Sequence, residues 1–183
     1  MIKIETLDLY RKMKLWINEA PDDCENAEVG DTCIYKANEN ITWFNGILCL
    51  ELRIAPRAAS NYAMLDFKFT QDTSGIFKII FMLSKEDRIV ISDIATQTDI
   101  VSNNIVKKYY KILIQMFDEL SIKNIFPSGT LEILGGRYGS VGSSDVAVVT
   151  VAKILIALFE LGEKFEESDI KAIILERCKC KSK

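Results

Sequence analysis

The segment Gly135-Gly136-Arg137-Tyr138-Gly139-Ser140-Val141-Gly142-Ser143-Ser144-Asp145 constrains this chain more than any other stretch. It holds four of the nine glycines and runs directly into a long apolar run. The valines and isoleucines of that run could pass for strand, but its length and the serine N-cap favour a helix beginning where the glycine segment ends. The first N–H groups of a helix have no intrahelical partner, so a glycine turn that feeds one is a natural place to hold an anion. Gly139, Gly142, Ser143 and Ser144, with Arg137 as a nearby cation, therefore form a candidate ligand or anion site. A structural reading competes with it. In that reading Ser143 caps the helix and the glycines let the loop pass close to a sheet, while Asp145 suits the helix dipole but opposes a bound phosphate.

The catalytic patterns that use such loops are not met. The dinucleotide fingerprint G-x-G-x-x-G would need its first glycine where Arg137 stands, and a phosphate P-loop needs lysine where Ser143 follows Gly142. The nucleophile elbow G-x-S-x-G is absent as well. The chain contains no histidine, which removes Ser-His-Asp and Cys-His nucleophile pairs and any zinc site built on imidazole. No catalytic residue is assigned and no cofactor is implied.

Around the glycine segment the pattern reads as α+β: a mainly antiparallel sheet with helices packed on one face, built as a βββαβα core with an N-terminal helix and hairpin. Residues 5–19 read as an amphipathic helix broken by Pro21, and residues 24–31 as a loop. Strands are expected over 32–36 and 41–54, joined as a hairpin through Asn38-Glu39-Asn40 and stopped by Pro56. Alternation over 62–69, a turn at 71–75, an apolar run over 76–83 and a further strand over 88–94 read as an antiparallel meander. After Ser102, a plausible N-cap, Val106, Tyr110, Leu113, Phe117 and Leu120 recur at helical spacing. Pro127-Ser128-Gly129 precedes a short strand over 130–134. A central helix follows the glycine loop from about 144 to 161 with Gly162 as C-cap, and a last helix runs from 166 to about 177. At 183 residues the chain is expected to be one domain, with 1–58 as an extension and 59–183 as the core.

Outside the glycine loop, Lys107, Lys108 and Lys111 could contact phosphates of a nucleic acid, or could simply be a solvated helix face. Trp43 and Phe44 beside Asn45-Gly46 could form an exposed aromatic knuckle for a partner, or could be core. Cys24, Cys33, Cys178 and Cys180 could supply four thiolates, but their spacing is not that of zinc knuckles, so no metal is expected. Five cysteines without a secretory leader suggest reduced thiols and a cytoplasmic protein with no membrane span. A net charge of −3 argues against a generic nucleic-acid coat.

Over roughly residues 60–162 the chain resembles domain IV of translation elongation factor G. That family carries D-G-S-Y-H-x-V-D-S-S-x-x-A-F between its last strand and last helix; aligned from Gly135, this chain keeps Gly136, Tyr138, Val141, Ser143, Ser144 and Ala147. The family's histidine is Gly139 here and its two aspartates are Gly135 and Gly142. The resemblance implies a βββαβα core and a loop that meets RNA at the ribosome. The family's GTP-binding domain has no counterpart in these residues, so GTPase activity is not implied. Residues 140–145 are also similar at their centre to the P-x-x-x-G-L-G-S-S-A loop of the galactokinase–homoserine kinase–mevalonate kinase group, which has the same general fold. The leading expectation is a non-enzymatic cytoplasmic protein that binds a protein partner. RNA or ribosome binding, and an enzyme for a small phosphorylated ligand, are the alternatives.

Overall fold

The computed structural model describes residues 7, 11–19, 21, 27–54, 61–97, 99–163 and 166–178. Its mixed, mostly antiparallel sheet contains β1 (Arg11–Ile17), β2 (Ala27–Lys36), β3 (Gly46–Ile54), β4 (Asn61–Gln71), β5 (Ile76–Ser84), β6 (Ile89–Val90), β7 (Val101–Ser102) and β8 (Gly129–Gly139). Among the described residues three helices, α1 (Ile105–Ser121), α2 (Asp145–Phe159) and α3 (Glu167–Arg177), complete an α+β fold. The main sheet runs β1-β3-β4-β8-β5-β2, and the short β6–β7 ribbon joins it where β7 pairs with the end of β8.

Period-two alternation decides which side of the sheet each residue faces. Leu48, Leu50 and Leu52 on β3, Leu65, Phe67 and Phe69 on β4, Phe77, Ile79 and Phe81 on β5 and Leu131 and Ile133 on β8 build one buried cluster with the helices. α1 contributes Val106, Tyr109, Leu113, Met116, Phe117 and Leu120 at spacings of three and four. α2 buries Ala147, Val148, Val151, Ala152 and Ile154 to Phe159 but leaves the face carrying Asp145, Val146, Val149, Thr150 and Lys153 open, so it is less enclosed than its apolar composition suggests. Gly162 adopts the positive φ of a helix C-terminal glycine. No helix among the described residues is long and apolar enough to cross a membrane.

The N-terminus departs from expectation. Where residues 5–19 suggest a helix, the described part is strand β1, because Met13 and Leu15 alternate with Lys12, Lys14 and Trp16. Most of residues 1–10 lie outside the described residues, as does Pro56. Of the expected loop at 24–31, Ala27 to Asp31 belong to β2 and residues 24–26 lie outside the description. Asn38 does turn the chain, its side chain accepting from the Asn40 N–H at 3.1 Å. Yet β2 and β3 are not a hairpin: β2 pairs with β5 at one edge of the sheet, and β3 lies between β1 and β4. The strands of the first 58 residues are thus woven into both sides of the same sheet.

The meander is also interrupted. β8 inserts between β4 and β5, antiparallel to the first and parallel to the second, so the turn at 71–75 joins strands that do not touch as a pair. The strand expected over 88–94 shortens to Ile89–Val90. α1 starts after Asn104 rather than at Ser102, which is paired in β7. Finally, β8 does not stop at Leu134; it continues to Gly139 and takes half of the expected glycine loop into the sheet.

Candidate functional site: the glycine turn and the end of the sheet around it

β8 carries its glycines into the sheet for steric reasons. Its pairing with β4 slips by one residue at Leu134, between Asp66↔Gly135 and Phe67↔Ile133, which is a β-bulge. Gly136 follows with φ +141°, and a Cβ there would lie 2.0 Å from the Met64 carbonyl oxygen. Backbone cannot retreat as a side chain can, so this position admits only glycine. At Gly139 a Cβ would fall 1.9 Å from Asp99 Oδ2.

Asp99 is the residue on which the turn is built. Its Oδ1 accepts from Val141 N–H at 3.0 Å and from Ser140 Oγ at 3.2 Å, and its Oδ2 accepts from Gly142 N–H at 2.9 Å. The turn therefore does gather donors around an anion, and that anion is a carboxylate of the chain itself. Ser143 is a tether rather than the cap: its Oγ donates to the Tyr62 carbonyl and accepts from Gly139 N–H at 2.8 Å. Ser144 caps α2, accepting from Ala147 N–H at 3.2 Å and donating to Asn61 Oδ1 at 3.2 Å. Gly139, Gly142, Ser143 and Ser144 thus stand around one turn, with their polar groups engaged inside the molecule.

Arg137 reaches another set of groups, on the sheet face opposite the helices. The register places Lys14, Glu51, Met64 and Arg137 in one row across β1, β3, β4 and β8. The Glu51 carboxylate is buried, accepts from Tyr62 Oη at 2.8 Å and Ser92 Oγ at 2.6 Å, and lies 4.0 Å from Arg137. Lys14 pairs with Asp93, and Arg137 also approaches the Ile91 carbonyl. These contacts hold the connection between β6 and β7 down across the sheet, where Ile94 and Val101 pack on Tyr62. Burial first, then the adjacent Glu51 charge, raises the Tyr62 phenol above its ordinary value.

What this support displays is apolar. Val90 and Val101 turn inward toward Tyr62, so their neighbours face solvent: Ile89 is 77% exposed, Ile91 94% and Ile100 55%. The Ser140 N–H donates to the Ile100 carbonyl at 2.9 Å, which joins the glycine turn to the ribbon beside Val141, 85% exposed. Four branched aliphatic side chains at one end of the sheet thus stand in water.

Lys107, Lys108 and Lys111 are exposed on the first turns of α1. The fold brings them to the same end of the molecule, because the Lys108 ammonium lies 4.1 Å from the centre of the Tyr138 ring, one residue before Gly139. With Tyr109, Tyr110, Ile112, Gln115 and Asp145 they line a concavity of about 440 Å³. Trp43 and Phe44 are elsewhere and are not an exposed knuckle. Both are buried, with Trp43 enclosed by Phe69, Phe77, Phe126 and Phe159. Cys33 is half-buried and Cys49 and Cys178 are buried, Cys24 and Cys180 lie outside the described residues, and no metal-binding cluster occurs among the described residues.

Asp99, Glu51, Lys14 and the three isoleucines escape a reading of the sequence. Asp99 meets its partners 41 to 43 residues away, and nothing in its local context marks it. Ile89 and Ile91 look like core because they are branched and apolar in a strand-like run. No family model, no curated protein and no solved structure matches the chain.

Proposed function

We propose that this chain is a non-enzymatic module that acts in the cytoplasm by binding a protein partner, as an inhibitor, an immunity factor or a mobile-element accessory protein does. The observation that carries the reading is that Ile89, Ile91, Ile100 and Val141 are all largely exposed on the β6–β7 ribbon and the glycine turn bonded to it. Single exposed aliphatic residues are ordinary, whereas a cluster on a rigid support marks an interaction surface. The support here is fastened to the sheet: Asp99, Ser143, Glu51 and Lys14 each hold it with polar contacts. Full burial of each such side chain is worth about 1.5–3 kcal/mol before the costs of association.

The occupied turn supports this reading over a phosphorylated-ligand enzyme. A phosphate would have to displace Asp99 from two N–H groups and a hydroxyl, and would then face Asp145 in the first turn of α2.

The test is recovery of the tagged chain from its native cytosol, with and without nuclease, as wild type and as the double variant Ile91→Asp/Ile100→Asp. One stoichiometric protein that survives nuclease and disappears with the double variant is the expected result. Both substitutions are on exposed positions, so stability should change by less than about 1 kcal/mol. Ribosomal proteins lost on nuclease treatment would instead favour RNA binding through Lys107, Lys108 and Lys111.

A further inference from the structure

The concavity beside Lys107, Lys108 and Lys111 continues along the helices. A second one of about 340 Å³ is lined by Ile112, Gln115, Met116, Glu119, Val146, Val149 and neighbouring residues of α2. The two share Ile112, Gln115 and Asp145, so they form one groove between α1 and α2. From Lys107 to Glu119 it follows α1 for roughly 18 Å, at 1.5 Å per residue.

Charge along this groove is polarised. At the end near the glycine turn three lysines face one carboxylate, Asp145. Farther along, Lys153 lies 3.9 Å from Glu119, and the two cancel. Between them the surface is mainly apolar, with Ile112 and Val149 half-buried over the buried Met116 and Val146 70% exposed, and Gln115 and Thr150 add uncharged polar groups.

The geometry points to one occupant: an amphipathic helix of the partner protein, with an apolar stripe and carboxylates gathered at one end. This rests on the protein-partner reading and names what the partner presents. Both walls are helices whose backbone is bonded internally, so the groove offers side-chain contacts and no free edge for a strand. A helix meets it with anchors at i, i+3, i+4 and i+7, and its acidic end answers the lysines. A nucleic acid fits less well, since Asp145 and the apolar half interrupt any phosphate track.

The probe is a labelled helical peptide of about five turns, with leucines on one stripe and glutamates at one end, titrated with the purified chain by fluorescence anisotropy. Micromolar binding is expected. Lys107→Glu/Lys111→Glu should weaken it by about tenfold or more, and Val146→Asp should do the same. Both variants should melt as the wild type does. A peptide with lysines in place of the glutamates should bind at least about tenfold more weakly.

The inference is overturned if the acidic peptide does not bind, if acidic and basic peptides bind alike, or if the variants bind as tightly as the wild type. Displacement of the peptide by an oligouridine, with a stronger affinity for the RNA, would also overturn it and assign the lysines to nucleic acid. If the native partner is captured through Ile91 and Ile100 while the peptide fails, only the groove assignment falls. If the capture fails as well, the protein-partner reading falls with it.

Discussion

Asp99 and Gly139 are a matched pair at the scale of single residues. The carboxylate approaches the glycine so closely that any side chain would overlap it, and in that position it serves Val141, Gly142 and Ser140 together. Hydrogen bonds to an ionised acceptor are worth about 1.5–3 kcal/mol when a partner is deleted. Asp99→Ala should therefore lower stability by about 2 kcal/mol, read from urea unfolding. Amide exchange at Val141 and Gly142 should accelerate far more than exchange in α2. If those amides exchange as slowly in the variant, another group holds the turn. The sequence leaves open whether the glycine turn holds an anion or only feeds a helix, and it gives no sign that a carboxylate of the chain already sits on Ser140, Val141 and Gly142. The donors are adjacent in the chain, whereas the acceptor arrives from a separate ribbon.

Elements were legible where the pattern is local. The apolar stripe of α1, the all-round apolar α2, the turn at 71–75 and the alternation in β4 follow from residues within a few positions of one another. Strand order was not legible, because β4 and β5 are separated by a strand that begins 45 residues after β5 ends. β1 misled for a physical reason. Trp16 makes its second face partly apolar and blurs the alternation of Met13 and Leu15. β8 misled because glycine signals a turn in isolation, while here its missing side chain is what lets two strand backbones meet at Gly136 and Met64. The two serines before α2 separate capping from tethering. Ser144→Ala should cost about 1–2 kcal/mol and Ser144→Gly less, because glycine is tolerated at an N-cap while both variants lose the bond to Asn61. At Ser143 both substitutions should cost alike, about 1–3 kcal/mol, because either removes the bridge between Gly139 and Tyr62. Unfolding midpoints of the four variants check this, and a milder glycine at position 143 would make Ser143 a second cap.

On both sides of the sheet the apolar packing of the molecule is supplemented by the same chemistry, a tyrosine hydroxyl donated to a carboxylate. On the polar side Tyr62 donates to Glu51. On the helical side Tyr35 of β2 donates to Asp118 of α1, and Tyr110 of α1 donates back to Asp31 of β2, so the edge strand and the helix are stitched reciprocally. Each bond needs a protonated phenol. Burial and then the carboxylate neighbours raise Tyr62 and Tyr35, and burial with the bond to Asp31 pushes Tyr110 up to about 12. In the unfolded chain the same phenols titrate near about 10. The folded values are the higher ones, so the unfolded state releases its protons first as pH rises. Stability is therefore fully present below about pH 10 and is lost above it, through about 12 for Tyr110 and beyond for the other two. Tyr110 is half-buried against the core but its bond to Asp31 lies at the surface, so screening makes its share the smallest. Urea midpoints should stay level from about pH 7 to 9 and then fall. Tyr35→Phe/Tyr110→Phe should begin lower and fall less steeply, because two of the three donors no longer titrate. An alkaline slope equal in wild type and double variant would mean that β2 and α1 are joined by apolar contact alone, and that the phenols only decorate the seam.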